Sequence, residues 1–246
     1  MPLIGEHFTV LQSVDSTNNY AMAQAHAGLA MHGNTYFSSE QTGGKGQRGK
    51  TWETGSGQNL AISVVLNPGN LLLSDQFMLN IAVTLACYDL VNDHALTDLR
   101  IKWPNDIYWR DRKAGGILIE NLVKGSEWQH AIAGVGLNIN QTHFSSNLKN
   151  PVSLKQITGK TYDLIELARN LCSKLEHTFN SLQVEHQPLL EIYNRLLYKK
   201  NAAVTLKRNN IVFNSVIRGV TRQGRLVVYS NMEQEYDSGE IEWVLS

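Results

Sequence analysis

The sequence predicts an α+β fold, a β-sheet with packed helices followed by a small all-β domain. Three features carry this expectation. The run Leu60 to Leu66, LAISVVL, is apolar enough to lie inside a sheet, and strand-like runs recur at Arg100 to Trp103, Gly116 to Leu122 and His130 to Leu137. Between them, Leu72 to Val91 carries Phe77, Ile81, Leu85 and Tyr88 at helical spacing. After Lys199-Lys200 the chain changes to short strand-like runs at close intervals, the pattern of a small barrel or sandwich. The expected boundary divides residues 1–199 from residues 200–246.

The elements are expected in this order. Phe8 to Val14 is a strand, and Asp15-Ser16-Thr17-Asn18 is an N-cap cluster opening a helix over Asn19 to Ala27. Asn34 to Ser39 is a strand rich in Thr, Tyr and Phe. Glycine-rich sequence from Gly43 to Gly57 precedes the strand Asn59 to Leu66, which Asn67-Pro68-Gly69 breaks. Tyr162 to Leu182 and Pro188 to Tyr198 are two later helices. The C-terminal strands are Ala203 to Lys207, Val212 to Val220, Arg225 to Tyr229 and Ile241 to Leu245. Turn signals at Arg208-Asn209-Asn210, Gln223-Gly224 and Ser238-Gly239 separate them.

Composition excludes several functions. Basic and acidic residues balance at 22 each, without the excess that general nucleic-acid binding needs. The short stretch before Phe8 is expected to hold no helix-turn-helix module, so no DNA partner is expected. The two cysteines, Cys87 and Cys172, lie in apolar helical runs and lack zinc-ligand spacing. The N-terminus lacks a signal-peptide pattern and no apolar run is long enough for a membrane span, so a cytoplasmic protein is expected. The eight histidines are scattered, which disfavours zinc or Ser-His-Asp chemistry.

The densest functional signal is Gly43-Gly44-Lys45-Gly46-Gln47-Arg48-Gly49-Lys50-Thr51, with four glycines and no acid between Glu40 and Glu53. Glycines allow close approach of the backbone to a ligand, and the cations suit phosphate or carboxylate. Gly44 to Thr51 spells a P-loop, but that motif needs a helix to follow. Here Trp52 to Gln58, with two glycines and no apolar period, leads directly into a strand, so a different kind of anion loop is expected.

Three further clusters accompany the loop. Lys102-Trp103-Pro104-Asn105-Asp106 is a proline turn carrying a candidate phosphate-binding lysine and a candidate magnesium-ligating carboxylate. Lys113-Ala114-Gly115-Gly116 leads a lysine into a buried strand. Gly134-Val135-Gly136-Leu137-Asn138 ends another strand with small residues and an amide, a flat surface for a ring.

Taken in order, Asp15 to Asn18, Gln41 to Gly49, Lys102 to Asp106, Arg112 to Leu118 and Gly134 to Asn138 resemble the signature blocks of biotin–protein ligases. The resemblance runs from Phe8 to the end. It implies a mixed-sheet catalytic domain, a C-terminal SH3-like barrel, and a two-step reaction. Biotin and ATP would give biotinyl-5′-AMP, and a lysine of a biotin carboxyl carrier domain would then take the biotin. The resemblance assigns biotin contacts to Ser16, Thr17, Asn18, Gln41, Gly44, Lys45, Gly46, Gln47, Lys113, Gly116, Gly134 and Gly136. It assigns ATP to Arg48, Gly49, Trp52, Lys102, Asn105 and Asn138, a magnesium ion to Asp106, and catalytic cations to Lys113, Lys102 and Arg48. It allows a homodimer. The loop departs from the family's commonest spelling, GRGRxGR. Lys45 and Lys50 stand for arginines and keep charge without the bidentate fork. Gln47 stands for an arginine and loses a charge, which Arg48 is expected to supply. The alternative, a lipoate or octanoate ligase or transferase of the same fold, has a different glycine block and lacks the Lys102 to Asp106 turn. The glycines imply a loop that orders when the adenylate forms.

Overall fold

The computed structural model describes residues 1–95 and 97–244. Two sheets organise it. The larger has seven strands: β1 (Phe8–Leu11), β2 (Thr35–Ser38), β3 (Leu60–Leu66), β4 (Leu99–Lys102), β5 (Asp106–Trp109), β6 (Arg112–Lys124) and β7 (Glu127–Leu137). Their spatial order is β1-β2-β3-β7-β6-β5-β4. The β1–β2 pair is parallel and the others are antiparallel, so the sheet is mixed as expected.

Every residue of β3 is buried, because the strand is central and covered on both faces. Side chains alternate across a sheet. Ile62, Val64 and Val135 therefore join the main core beneath α2 (Gln76–Ala95), which packs on the long helix Leu164–Val184. Val65 and Ile132 point the other way, onto Ala21 and Ala25 of α1 (Thr17–His26). The two cysteines are free and buried.

Most elements fall where the sequence places them, with informative differences. The first strand ends at Leu11, and Val14 makes only a lone bridge to Gln41. The second helix starts at Gln76, because Leu73–Asp75 forms a separate 3-10 turn. Strand β5 was hidden behind the proline turn; the Trp103–Pro104 peptide is cis. A third helix, α3 (Leu154–Thr158), is too short for apolar periodicity and is held by a capping box between Ser153 and Gln156. The long helix over Leu164–Val184 is then α4. The last helix, α5 (Gln187–Arg195), stops before Tyr198; beyond it the chain runs beside β4, with the Tyr198 amide donating to Ile101 O at 2.8 Å.

The smaller sheet holds β8 (Ala203–Arg208), β9 (Ile211–Val220), β10 (Leu226–Ser230), β11 (Met232–Tyr236) and β12 (Glu242–Trp243). Its order is β11-β10-β9-β8-β12, antiparallel throughout, consistent with an SH3-like domain. Strand β11, MEQEY, was not anticipated because a polar strand has no apolar alternation to announce it. Leu245, the expected end of the last strand, lies outside the described residues.

The two sheets share one contiguous core, in which Leu206, Ile217 and Leu226 join the residues of β3 and α2. Polar contacts fix the junction. Trp103 Nε1 donates to Gly224 O at 2.8 Å, and Asn194 bonds both the amide and the carbonyl of Val220. Arg222 grips Asp75 with two bonds of 2.8 and 2.6 Å. That fork holds the Asp75 carboxyl below its ordinary range. A carboxyl so depressed stabilises the fold above its unfolded pKa, and the contribution disappears as pH falls through the folded value. Because Arg222 is half exposed, Arg222→Ala should cost only about 1 kcal/mol at pH 7. Denaturant melts should show that difference vanish at a pH below the Asp75 pKa; an equal deficit at both pH values would contradict the assignment.

Candidate active site

Strand register builds the floor of the site. Gly116 lies opposite Gly136, which lies opposite Ala61, and Leu118, Gly134 and Ser63 form the next row. At a period of two, these residues share the face that α1 covers only in part. The result is a strip of sheet almost without side chains. Other groups use the space: a Cβ on Gly136 would meet the Trp52 indole at 2.5 Å, and one on Gly134 would overlap the Asn18 amide.

One end of the strip is polar and neutral. Thr17 and Asn18 begin α1, directly after its N-cap Ser16, and all three are buried. Ser63 Oγ lies 2.7 Å from Thr17 Oγ1 and 2.6 Å from Asn18 Oδ1, so its single proton serves one of them at a time. Gln41 Oε1 accepts from the Thr17 amide at 2.8 Å and sits 3.1 Å from its hydroxyl. Asn18 Nδ2 donates to Glu120 Oε2 at 2.8 Å, and Lys45 Nζ reaches Glu120 Oε1 at 3.3 Å. The network thus presents hydroxyls, amides and one carboxylate in a small space.

The other end is cationic. Lys113 Nζ pairs with Asp106 Oδ1 at 2.7 Å above Gly116, where an added Cβ would come within 3.1 Å of that oxygen and 3.3 Å of that nitrogen. The same ammonium is 5.8 Å from the centre of the Trp52 ring. Asn105 fixes the turn by donating to Ile117 O and accepting from the Ile117 amide. Asn138 donates its side-chain amide to Lys113 O and Val152 O, which ties the end of β7 to the start of β6. Lys102 is buried, and burial pulls its pKa down to about 8 against the partial compensation of Asp106.

The glycine-rich segment closes over this floor as a short hairpin. Gly43 donates to Asp15 O at 2.8 Å, Trp52 to Gly44 O at 2.8 Å and Gly46 to Lys50 O at 2.7 Å, and Lys45 bridges to Thr51. Gly44 must be glycine, since a Cβ there would strike Trp52 O. Gln47–Gly49 forms a single 3-10 turn with Arg48 at φ 58°. No α-helix opens behind the loop, so the P-loop spelling is accidental.

The structure therefore gathers Ser16, Thr17, Asn18, Gln41, Gly44, Lys45, Trp52, Lys102, Asn105, Asp106, Lys113, Gly116, Gly134, Gly136 and Asn138 around one strip. Gly46, Gln47 and Gly49 belong to the covering hairpin. Arg48 is turned away: its guanidinium donates at 2.8 Å to Ser238 Oγ, in the turn between β11 and β12, and packs on Gly239. Sequence reading missed Ser63, Glu120 and the rings around Lys102. Ser63 had a signal, as the one polar side chain inside LAISVVL; the rings come from distant segments and had none.

The arrangement can hold an uncharged polar ring at one end, a planar group against Trp52, and anionic oxygens between Lys113 and Lys102. Comparisons with known proteins agree with such a site. Residues 10–138 match the model of the Biotin/lipoate A/B protein ligase family. The bifunctional ligase/repressor BirA of Escherichia coli is 27% identical over 231 residues, covering 92% of this chain and 70% of that protein. The biotin--[acetyl-CoA-carboxylase] ligase of Paracoccus denitrificans is 33% identical over 162 residues, 63% of this chain and 65% of that one. Among solved structures, the biotin protein ligase of Aquifex aeolicus in complex with biotin and ATP superposes with a TM-score of 0.83 at 22% identity, over 98% of this chain and 100% of that chain.

Gly136→Ala should force the Trp52 indole off the strip while costing the fold about 1–3 kcal/mol. Near-ultraviolet circular dichroism, with Trp52→Phe as reference, checks this; an unaltered Trp52 signal in Gly136→Ala would show that the indole does not rest there.

Proposed function

Because the chain belongs to the Biotin/lipoate A/B protein ligase family, we propose that it is an ATP-dependent biotin–protein ligase, forming biotinyl-5′-AMP and passing biotin to a lysine of a biotin carboxyl carrier domain. The family name covers both biotin and lipoate. The observation that supports biotin is the network of Thr17, Asn18, Ser63 and Gln41. A ureido ring offers N–H donors and a carbonyl acceptor to such groups. A dithiolane ring offers neither, so covering the network with it would displace water without replacing water's hydrogen bonds.

In the first step a carboxylate oxygen of biotin attacks the α-phosphorus of ATP, and pyrophosphate leaves with the electrons of the broken P–O bond. Two anions must meet, so fixed cations are needed where charge accumulates. Lys113 is placed for this. Its ammonium lies above Gly116 and 5.8 Å from the Trp52 ring centre, and it exchanges its Asp106 partner for the carboxylate and α-phosphate oxygens. Lys102 and Asn105 serve the β- and γ-phosphates. Trp52 stacks on the adenine. Asn138, whose Nδ2 is committed to two carbonyls, has Oδ1 to accept from the exocyclic amine. The hairpin from Gly44 to Gly49 covers the carboxylate and excludes water from the anhydride. In the second step the carrier lysine attacks the acyl carbon and AMP departs.

A magnesium ion fits as a companion of ATP. No group of three or more His, Cys, Asp or Glu forms a metal cage among the described residues. Magnesium commonly takes one or two carboxylates with phosphate oxygens and water. Asp106, once Lys113 turns to substrate, is such a carboxylate; the ion would neutralise phosphate charge. Arg48, held on Ser238, is proposed to reach the adenylate only by leaving that contact.

The test is direct. With ATP, magnesium and a carrier domain, the carrier should gain the mass of biotin when biotin is supplied and gain nothing with lipoate. Lys113→Ala should slow adenylation by about a hundredfold or more. Asn18→Ala should raise the KM for biotin by about tenfold or more and leave that for ATP little changed. Lipoyl transfer, or full activity in Lys113→Ala, would refute the assignment.

A further inference from the structure

We propose that Trp243 of the small β domain is a positioning residue for the nucleotide: its indole closes an aromatic cage that holds the Lys102 ammonium without neutralising it. The proposal rests on the reading of Lys102 as a phosphate-binding group.

Three rings surround that nitrogen. Lys102 Nζ lies 4.6 Å from the ring centre of Tyr108, 5.3 Å from that of Trp243 and 6.0 Å from that of Tyr198. The rings also pack on one another, Tyr108 on Tyr198 at 5.4 Å and Tyr198 on Trp243 at 5.8 Å. Among the described residues the ammonium has one direct hydrogen-bond partner, the neutral Tyr108 hydroxyl at 3.2 Å. Among the described residues no carboxylate lies within 4.0 Å of it, whereas Lys113 is paired with Asp106. The two cations are therefore kept in different ways.

Aromatic faces attract a cation through their quadrupole and carry no net charge. A caged ammonium keeps its whole attraction for a polyphosphate, with no carboxylate to displace. It has also lost much of its water before the ligand arrives. The backbone behind the Tyr198 and Trp243 walls is held in place. The amide of Tyr198 donates to Ile101 O and its hydroxyl to Asp111. Trp243 pairs with Leu206 across β12 and β8, and the next amide, Val244, donates to Thr205 O at 3.0 Å. Among the described residues the indole Nε1 has no hydrogen-bond partner, and the ring contributes its face. One wall of a catalytic-domain site is thus built by the C-terminal sheet.

The experiment compares Trp243→Leu, which removes the π face, with Trp243→Phe, which keeps one. Cation–π attraction of about 0.5–2 kcal/mol predicts a rise of about tenfold in the KM for ATP in Trp243→Leu and recovery to within about threefold in Trp243→Phe. The KM for biotin and kcat should stay within about twofold in both. Independently of activity, acetic anhydride labelling of Lys102, read by peptide mass spectrometry, should rise in Trp243→Leu and not in Trp243→Phe. Equal ATP defects in the two variants, parallel losses toward ATP and biotin, or unchanged labelling in Trp243→Leu would overturn the proposal. Absence of biotin transfer by the unaltered protein would instead refute the functional reading, and the labelling comparison would still decide the cage.

Discussion

The site depends on the coincidence of small residues at the centre of a covered sheet. Gly116 and Gly136 are register partners, and Ala61 and Gly134 extend the gap by one strand and one row. A sheet buried on both faces normally fills such positions with branched apolar side chains. Leaving them empty forgoes core packing, and the space is taken by the Trp52 indole, the Asn18 amide and the Lys113–Asp106 pair. A one-residue slip of β7 would send Val135 and Leu137 into this space and the glycines into the core. The length of the β6–β7 hairpin and the apolar fit of its other face hold the register that creates the site.

On that floor, charge is arranged by position. The end near α1 is a closed network of neutral groups with one carboxylate, Glu120, answered by Lys45. The end near the proline turn holds Lys113 and Lys102, one paired and exchangeable, the other buried among rings. In the proposed reading, an acid with a polar head and an anionic tail has one orientation across such a gradient, and the nucleotide phosphate meets its tail at Lys113. The smaller sheet and its adjoining turn are part of this design. Through Trp243 and Ser238 they touch both the lysine end and the hairpin that covers the strip.

Much of this was legible in the residues. LAISVVL announces a central strand because it is short, rich in β-branched residues and ended by Asn67-Pro68-Gly69. The Gly-Lys-Arg loop announces an anion site because its composition has no packing use. What could not be read was what chain crossing brings together. Tyr198 and Trp243 come to Lys102 from segments about a hundred residues or more away, and their own neighbours are ordinary strand and helix-end residues. Strand β5 escaped because four residues after a turn carry too little period. Arg48 is expected to supply the charge that Gln47 lacks, and in this structure its guanidinium donates to Ser238 instead of facing the strip. Local composition indicates which chemistry is present; it does not indicate where a long side chain points.

The most direct measurement of the central claim is a crystal structure with a non-hydrolysable analogue of biotinyl-adenylate. The account predicts the ureido ring against Thr17, Asn18 and Ser63, the acyl-phosphate linkage over Gly116 with Lys113 moved from Asp106 onto it, and the purine on Trp52. A ligand bound away from the glycine strip, with Lys113 still paired to Asp106, would contradict it.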